Sequence, residues 1–160
     1  MHTDLWNFAL GLYARPGVEA ACLELQAQGA DVCLLLCGAW LDRRGVMPNV
    51  DRAAQLRKLA GPWQREVVQP LRTLRQQWRA EAAHDAELAL LRERVKALEL
   101  DAERRQLDRL ERACEGWPNG DEAPLDSWLV RLAPAATRHH DALQVLRAAI
   151  PTTQDAEDGD

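Results

Sequence analysis

The chain has 160 residues, of which 47% are hydrophobic and 28% are charged, and its formal net charge is -5. These values are typical of one soluble globular domain with a proper core, and they argue against a disordered chain or two full domains. A net charge this small also argues against a role of the whole chain in binding an anionic polymer.

Residues 1–60 contain short apolar runs at helical spacing, separated by strong stop signals. Asp4 precedes the first run, which ends near Pro16, and Gly29 ends the second. Asn49 or Asp51 is placed to cap a further helix. Residues 1–60 are therefore predicted to form compact N-terminal helices.

The stretch from Val32 to Leu41 contains no charged residue. A membrane span needs about 20 apolar residues, so this run, with Asp31 as its cap, is predicted to be the buried central helix of a bundle. Gly38 would let a neighbouring helix approach closely. Cys33 and Cys37 share one helical face, but no His or acidic residue joins them, so they are interpreted as buried thiols rather than metal ligands.

Residues 62–115 are predicted to form a helical hairpin. Pro62 suits the first turn of one helix, and residues 81–115 contain neither Pro nor Gly. The second helix carries apolar residues at heptad spacing, namely Leu88, Leu91, Val95 and Leu98. This short seam fits a hairpin within one chain as well as a dimer of two chains.

The C-terminal region contains a loop followed by helices. Residues 115–126 are rich in Gly, Pro, Asn and Asp and predict the loop. Residues 124–150 are predicted to be helical with a break at Pro134, and the acidic residues 151–160 are predicted to be a disordered tail. The fold expected for residues 1–150 is thus a single all-α domain.

Basic residues are concentrated between Arg43 and Arg79, where nine of them stand against two acidic residues, a local net charge of +7. On a helical wheel one face carries four arginines within about 80° of one another, here called the arginine stripe: Arg65, Arg72, Arg75 and Arg79. The candidate binding residues are Arg43, Arg44, Arg65, Arg72, Arg75, Trp78 and Arg79. Two interpretations stay open: a face that binds RNA, acidic lipid or an acidic protein, or a charge neutralised internally by the acidic segment 85–126.

No nucleophile elbow, phosphate-binding glycine loop, zinc-protease helix or pair of carboxylates in an apolar setting is evident, so the chain is predicted not to be an enzyme. The leading hypothesis is an interaction or regulatory protein that engages a protein partner, or a second copy of itself, through its charged helices. RNA or acidic lipid binding through the arginines is one alternative. A pocket for an apolar ligand near Trp6 and Trp40 is another. No metal or cofactor is expected.

Four cysteines lack the C-x-x-C spacing of zinc or redox sites, and the N-terminus lacks the basic start of a secretory signal. Free thiols are typical of a reducing compartment, so a cytoplasmic location without a transmembrane segment is expected.

Two blocks in order, of the form "LYxRPGVxxxCLxLQ" and "DVxLLLxxxW", followed by "WQREVVQPLRTLR", carry a family resemblance. Over roughly Leu5 to Trp78 the chain resembles an uncharacterised family of short helical proteins known chiefly from proteobacteria. The resemblance implies a helical core with a variable C-terminal part. It implies no activity, cofactor or catalytic residue.

Overall fold

The structure is a computed structural model that describes residues 4–120, 127–138 and 140–151. Within those ranges the chain is helical and contains no β-strand, so the predicted all-α fold is confirmed. The parts of the predictions that fall on residues 121–126 of the loop, on residue 139 and on residues 152–160 of the tail lie outside the described ranges. The helices are α1 (Asp4–Tyr13), α2 (Val18–Ala27), α3 (Val32–Arg43), α4 (Val50–Trp63), α5 (Gln69–Gln77), α6 (Arg79–Ala82), α7 (Ala86–Ala113), α8 (Trp128–Leu132) and α9 (Asp141–Ala149).

Helix α3 is the centre of the bundle, as predicted. All its residues from 33 to 42 are buried, and it packs against α1, α2, α4, α7 and α8. Its predicted cap is present, because an Asp31 carboxylate oxygen accepts a hydrogen bond from the Leu34 N–H at 3.3 Å. An uncharged helix surrounded on all sides in this way explains why no polar face interrupts its sequence.

Helix α8 crosses α3 at Gly38. A Cβ added there would lie 3.2 Å from a Leu132 methyl carbon and 3.4 Å from the Leu129 backbone nitrogen. The predicted close approach at Gly38 is therefore confirmed. A side chain at this position would press on Leu132, so the glycine lets the two helices meet without displacement.

The Asp42 carboxylate, at the end of α3, holds the start of α8 through hydrogen bonds. Its Oδ1 accepts from the Trp128 N–H at 2.8 Å, and its Oδ2 accepts from the Ser127 hydroxyl at 2.8 Å and the Leu129 N–H at 3.3 Å. Burial raises the pKa of the Asp42 carboxyl in spite of these donors. The free N–H groups at the start of a helix need such acceptors when they are buried.

Helix α4 does not end where the sequence predicts. It runs through Gly61 and Pro62, then passes through a π-helical segment, Gln64–Val68, directly into α5. The predicted helix start at Pro62 is therefore wrong. Trp63 helps to hold the continuous helix, because its indole N–H donates to the Ala102 carbonyl of α7 at 2.9 Å.

Helix α7 spans 28 residues inside the predicted range 81–115 and packs along α4 and α5. It begins later than predicted because Asp85 caps it, accepting hydrogen bonds from the N–H groups of Glu87 and Leu88. The short α6 precedes that cap. The C-terminal helices break at Pro134 as predicted, and α9 packs on α2.

Candidate ligand-binding cleft

A cleft with a volume of about 480 Å³ lies among α1, α2, the start of α3, α5 and α7. Its inner wall is apolar and includes Ala9, Cys22, Leu36 and Leu107. Its rim carries apolar side chains that are exposed to solvent, namely Leu10, Tyr13, Leu23 and Leu100. The cleft thus presents unburied apolar surface inside and at its mouth.

Arg72 and Glu99 form the centre of the cleft floor. Both are buried, with exposed fractions of 6% and 7%. The Arg72 Nε donates to Glu99 Oε1 at 3.2 Å. Arg75 adds two hydrogen bonds to the same carboxylate, one from Nε to Oε2 and one from Nη2 to Oε1 at 3.2 Å. The Glu99 carboxylate therefore receives three charge-assisted hydrogen bonds in a site with little water.

Glu103 continues the floor one helical turn after Glu99. Its Oε1 accepts from the Arg72 Nη2 at 3.1 Å, and its side chain is 28% exposed. Burial raises the pKa of the Glu103 carboxyl, and the negative charge of Glu99 adds to the rise, while Arg72 and Arg75 oppose it. The ionised form of Glu103 is thus only partly compensated.

Asp31 brings a further carboxylate to the cleft from the start of α3. Its Oδ2 accepts from the Gln106 Nε2 at 2.7 Å. Burial raises the pKa of Asp31, although the hydrogen bonds from Leu34 and Gln106 lower it in part. Gln106 itself is 1% exposed, and its Oε1 has no hydrogen-bond partner among the described residues. The polar groups beside the cleft are therefore incompletely satisfied.

The π-helical segment Gln64–Val68 borders the cleft through Gln64. Pro70 follows it, and a proline inside a helix lacks an N–H and clashes with the carbonyl four residues earlier. A wider π turn before Pro70 accommodates this defect without ending the helix. Because a π turn contains more residues than an α turn, it also changes the direction in which the following side chains point.

The predicted arginine stripe does not form one open face. Arg72 is buried and Arg75 is half-buried, and both are engaged with Glu99, whereas Arg65 and Arg79 are exposed. The interpretation in which all four guanidinium groups form one exposed binding face does not hold for Arg72 and Arg75, because α5 and α7 pack together and bring oppositely charged side chains into contact. For Arg72 and Arg75, the internal interpretation describes the geometry.

The remaining candidate residues lie elsewhere. Arg44 is half-buried, stacks over the Trp40 ring at 4.3 Å and donates to the Asn119 side chain at 3.1 Å. Arg43 is half-buried at the end of α3, and Trp78 is half-buried where α5 meets α6. None of these three lines the cleft.

Sequence reasoning missed Glu99 and Glu103 as site residues. They do not stand out as paired carboxylates in an apolar setting, because both lie in a helix rich in charge, where acidic residues usually face solvent. Of the two tryptophans expected beside a pocket, only one lines the cleft. Trp6 lines the cleft, whereas the Trp40 indole lies away from it and donates to Asp4 at 2.9 Å. Arg72 and Arg75 are three residues apart and Glu99 and Glu103 are four apart, so each pair lies on one face of its helix, and this is the sequence signal for the contact.

A second, shallower groove lies on the opposite side of α7. It has a volume of about 550 Å³ and is lined by Trp63, Val67, Leu71 and Leu98 among others. Leu98 is exposed there, as are Leu90 and Leu91 closer to the start of α7. This side of the hairpin is therefore apolar and uncovered by the described residues.

Two negative findings concern the described ranges alone. No helix in them has the length and apolar character that crossing a bilayer requires. No group of three or more His, Cys, Asp or Glu side chains in them is arranged to hold a metal ion.

The model of the family described as "Protein of unknown function (DUF2390)" matches residues 4–110. No curated protein and no solved structure matches the chain. The matched range extends beyond the stretch from Leu5 to Trp78 that carries the sequence resemblance. It includes every residue that lines the cleft and excludes α8 and α9.

Proposed function

The chain belongs to the DUF2390 family of unknown function, and from the cleft we propose that it is a binding protein for a small molecule. The ligand has an apolar body, which lies along the inner wall, and a polar end, which meets the floor formed by Arg72, Glu99 and Glu103. The observation that carries the proposal is the cleft itself, an apolar space that ends in buried charges.

The size of the cleft supports this role. Protein interiors are packed as densely as organic crystals, and voids larger than a water molecule are few. Ligand sites typically occupy about 300 to 1,000 Å³ and combine apolar walls with a few polar groups. A space of about 480 Å³ with this lining lies within that range.

The rim of the cleft offers exposed apolar surface that a bound ligand would cover. Leu10, Leu23 and Leu100 are each more than half exposed at the mouth of the cleft. Covering apolar surface stabilises a complex by about 25 cal/mol per Å² removed from water. Exposed apolar patches beside a concavity are typical of binding sites.

The proposal is tested with a neutral apolar fluorophore, N-phenyl-1-naphthylamine, whose emission rises in an apolar site. We expect saturable binding to the wild-type chain, and we expect Leu100→Ser to weaken it by about fivefold because a rim contact is lost. Leu90→Ser is the matched control, since Leu90 is an exposed leucine of the same helix that does not line the cleft. Absence of saturable binding, or equal weakening by both substitutions, would refute the proposal.

A second candidate function is engagement of a protein partner through α7, the leading hypothesis from the sequence. The exposed leucines at positions 90, 91 and 98 favour it, because unpaired apolar faces of helices are common contact surfaces. Sedimentation velocity of the wild type and of the Leu91→Ser/Leu98→Ser variant tests self-association. A wild-type chain that is monomeric at all concentrations would exclude the self-association form of this function.

RNA or acidic lipid binding through the arginines has less support. Arg72 and Arg75 already pair with acidic side chains, so only Arg65 and Arg79 of the four offer their charge to solvent. Two separated arginines release few counterions, and affinity for nucleic acid grows with the number of phosphates neutralised.

We propose a cytoplasmic location for this binding protein. The support is that Cys22, Cys33, Cys37 and Cys114 are all free thiols. Free thiols persist in reducing compartments.

A further inference from the structure

We infer that the polar end of the ligand is a cation of the alkylammonium type, held at the cleft floor by the carboxylates of Glu103 and Asp31. This inference rests on the proposed function and adds the chemical class of the ligand to it. It is carried by the balance of charge in the cleft and by the hydrogen-bonding capacity left at its floor.

The charged side chains that line the cleft are unequal in number. The acidic ones are Glu19, Asp31, Glu99 and Glu103, and the basic ones are Arg72 and Arg75. The described residues of the lining therefore carry a formal charge of -2 before a ligand enters. In a site partly screened from water, a cation is attracted and an anion is repelled by such a charge.

The positive charges of the two arginines are already paired with carboxylates of the protein. Arg72 uses Nε, Nη1 and Nη2 in hydrogen bonds to Glu99, Gln69 and Glu103. Arg75 makes two hydrogen bonds to Glu99. An anion placed beside Arg75 would also lie beside the Glu99 carboxylate, so most of the attraction would be cancelled.

The carboxylates have acceptor capacity left. Only Oε1 of the Glu103 carboxylate accepts a hydrogen bond from a described residue, and the Asp31 carboxylate accepts from Leu34, Gln106 and the Cys33 backbone. A carboxylate offers about four lone-pair positions, and an ammonium group offers three donors. Each of these two carboxylates in the cleft lining can therefore accept a hydrogen bond from an ammonium group that leaves water.

Proton equilibria at the floor supply a second readout of cation binding. Burial raises the pKa of both Asp31 and Glu103. The charged groups that act on them are Arg72, Arg75 and Glu99, and the Tyr13 hydroxyl at the rim and the Cys33 thiol at the wall also face this region. A bound cation favours the ionised carboxylates, so its binding releases protons when the pH lies near these pKa values.

Three probes of equal chain length test the inference: octylamine, octan-1-ol and octanoate, titrated by calorimetry at neutral pH. We expect octylamine to bind at least tenfold more tightly than the other two. Glu103→Gln should remove most of that preference by weakening the binding of octylamine much more than the binding of octanol. Glu93→Gln, an exposed carboxylate of the same helix outside the cleft, should change neither.

The outcomes separate the two proposals. If none of the three probes binds, the proposed function fails and the inference fails with it. If octanol or octanoate binds as well as octylamine, the cleft is a ligand site but the cation assignment is overturned. A preference for octylamine that survives Glu103→Gln would also overturn the assignment.

A second measurement on the wild-type chain keeps the test valid even if the variant fails to fold. Titrations of octylamine in buffers with different ionisation enthalpies at weakly acidic pH report the protons exchanged on binding. We expect net proton release with octylamine and none with octanol. Proton uptake, or equal proton exchange with both probes, would contradict the inference.

Discussion

Replacing Glu99 with leucine should remove the centre of the buried ion network and destabilise the fold. The Glu99 carboxylate holds Arg72, which is 6% exposed, and Arg75, which is half-buried. Breaking a buried ion pair by removing one partner costs about 3 to 5 kcal/mol, because the other charge stays buried without compensation. Arg72 keeps its hydrogen bond to Glu103 at 3.1 Å, and Arg75 can turn towards water. We therefore expect a loss at the lower end, about 3 kcal/mol.

Urea unfolding followed by circular dichroism measures this loss, with Glu93→Leu as the control. Glu93 is exposed, and its ion pair with Lys96, at 3.6 Å, lies on the surface, so we expect a change of about 0.5 kcal/mol or less. The double variant Arg72→Met/Glu99→Leu should be clearly more stable than the sum of its two single losses, since neither charge is then left alone. A loss for Glu99→Leu no larger than that of the control, or strictly additive losses, would refute the role given to this network.

Three further predictions follow from single positions. Gly38→Ala should destabilise the fold by about 1 to 3 kcal/mol, because the added methyl group overpacks against Leu132. Gly11 has open space around it, so Gly11→Ala should instead stabilise the protein by about 0.5 to 1 kcal/mol. Thermal unfolding of the two variants compares these effects. The pKa of Glu103 is raised in the folded state, so the native state binds the Glu103 proton more tightly than the unfolded state does. The Glu103 carboxyl therefore reduces the free energy of unfolding as the pH rises from the ordinary glutamate pKa through the raised pKa. Glu103→Gln removes this contribution, so the stability of the variant relative to wild type should increase between acidic and neutral pH. Burial raises the pKa of Cys22 to about 11, so its thiol should react with a disulfide reagent at pH 8 far more slowly in the folded chain than in urea.

The sequence predicts the helical core well because its signals are local. Asp31 and Asn49 cap α3 and α4 through hydrogen bonds from N–H groups three residues later. The uncharged run of α3 and the small residue Gly38 report burial directly, since both would be costly on a surface helix. These features depend on residues within one helical turn, so the local order of residue types in the sequence is enough to predict them.

The parts that the sequence does not predict depend on distant partners. Asp42 reads as the polar end of α3, yet its carboxylate binds the start of α8. An aspartate at this position is compatible with either role, and only the approach of the α8 backbone decides between them.

The position of Arg72 at the cleft floor depends on an irregular helical turn that a helical wheel does not represent. A wheel drawn at a constant angle per residue places Arg65 and Arg72 on one face. The π-helical segment Gln64–Val68, which accommodates Pro70, breaks that constant angle between the two arginines. Arg65 then stays in solvent, while Arg72 reaches Glu99 and Glu103 inside the hairpin. A Pro70→Ala substitution removes the cause of the wide turn. If a regular α-helix then forms, Arg72 should lose its place at the floor, and the chain should lose both stability and octylamine binding.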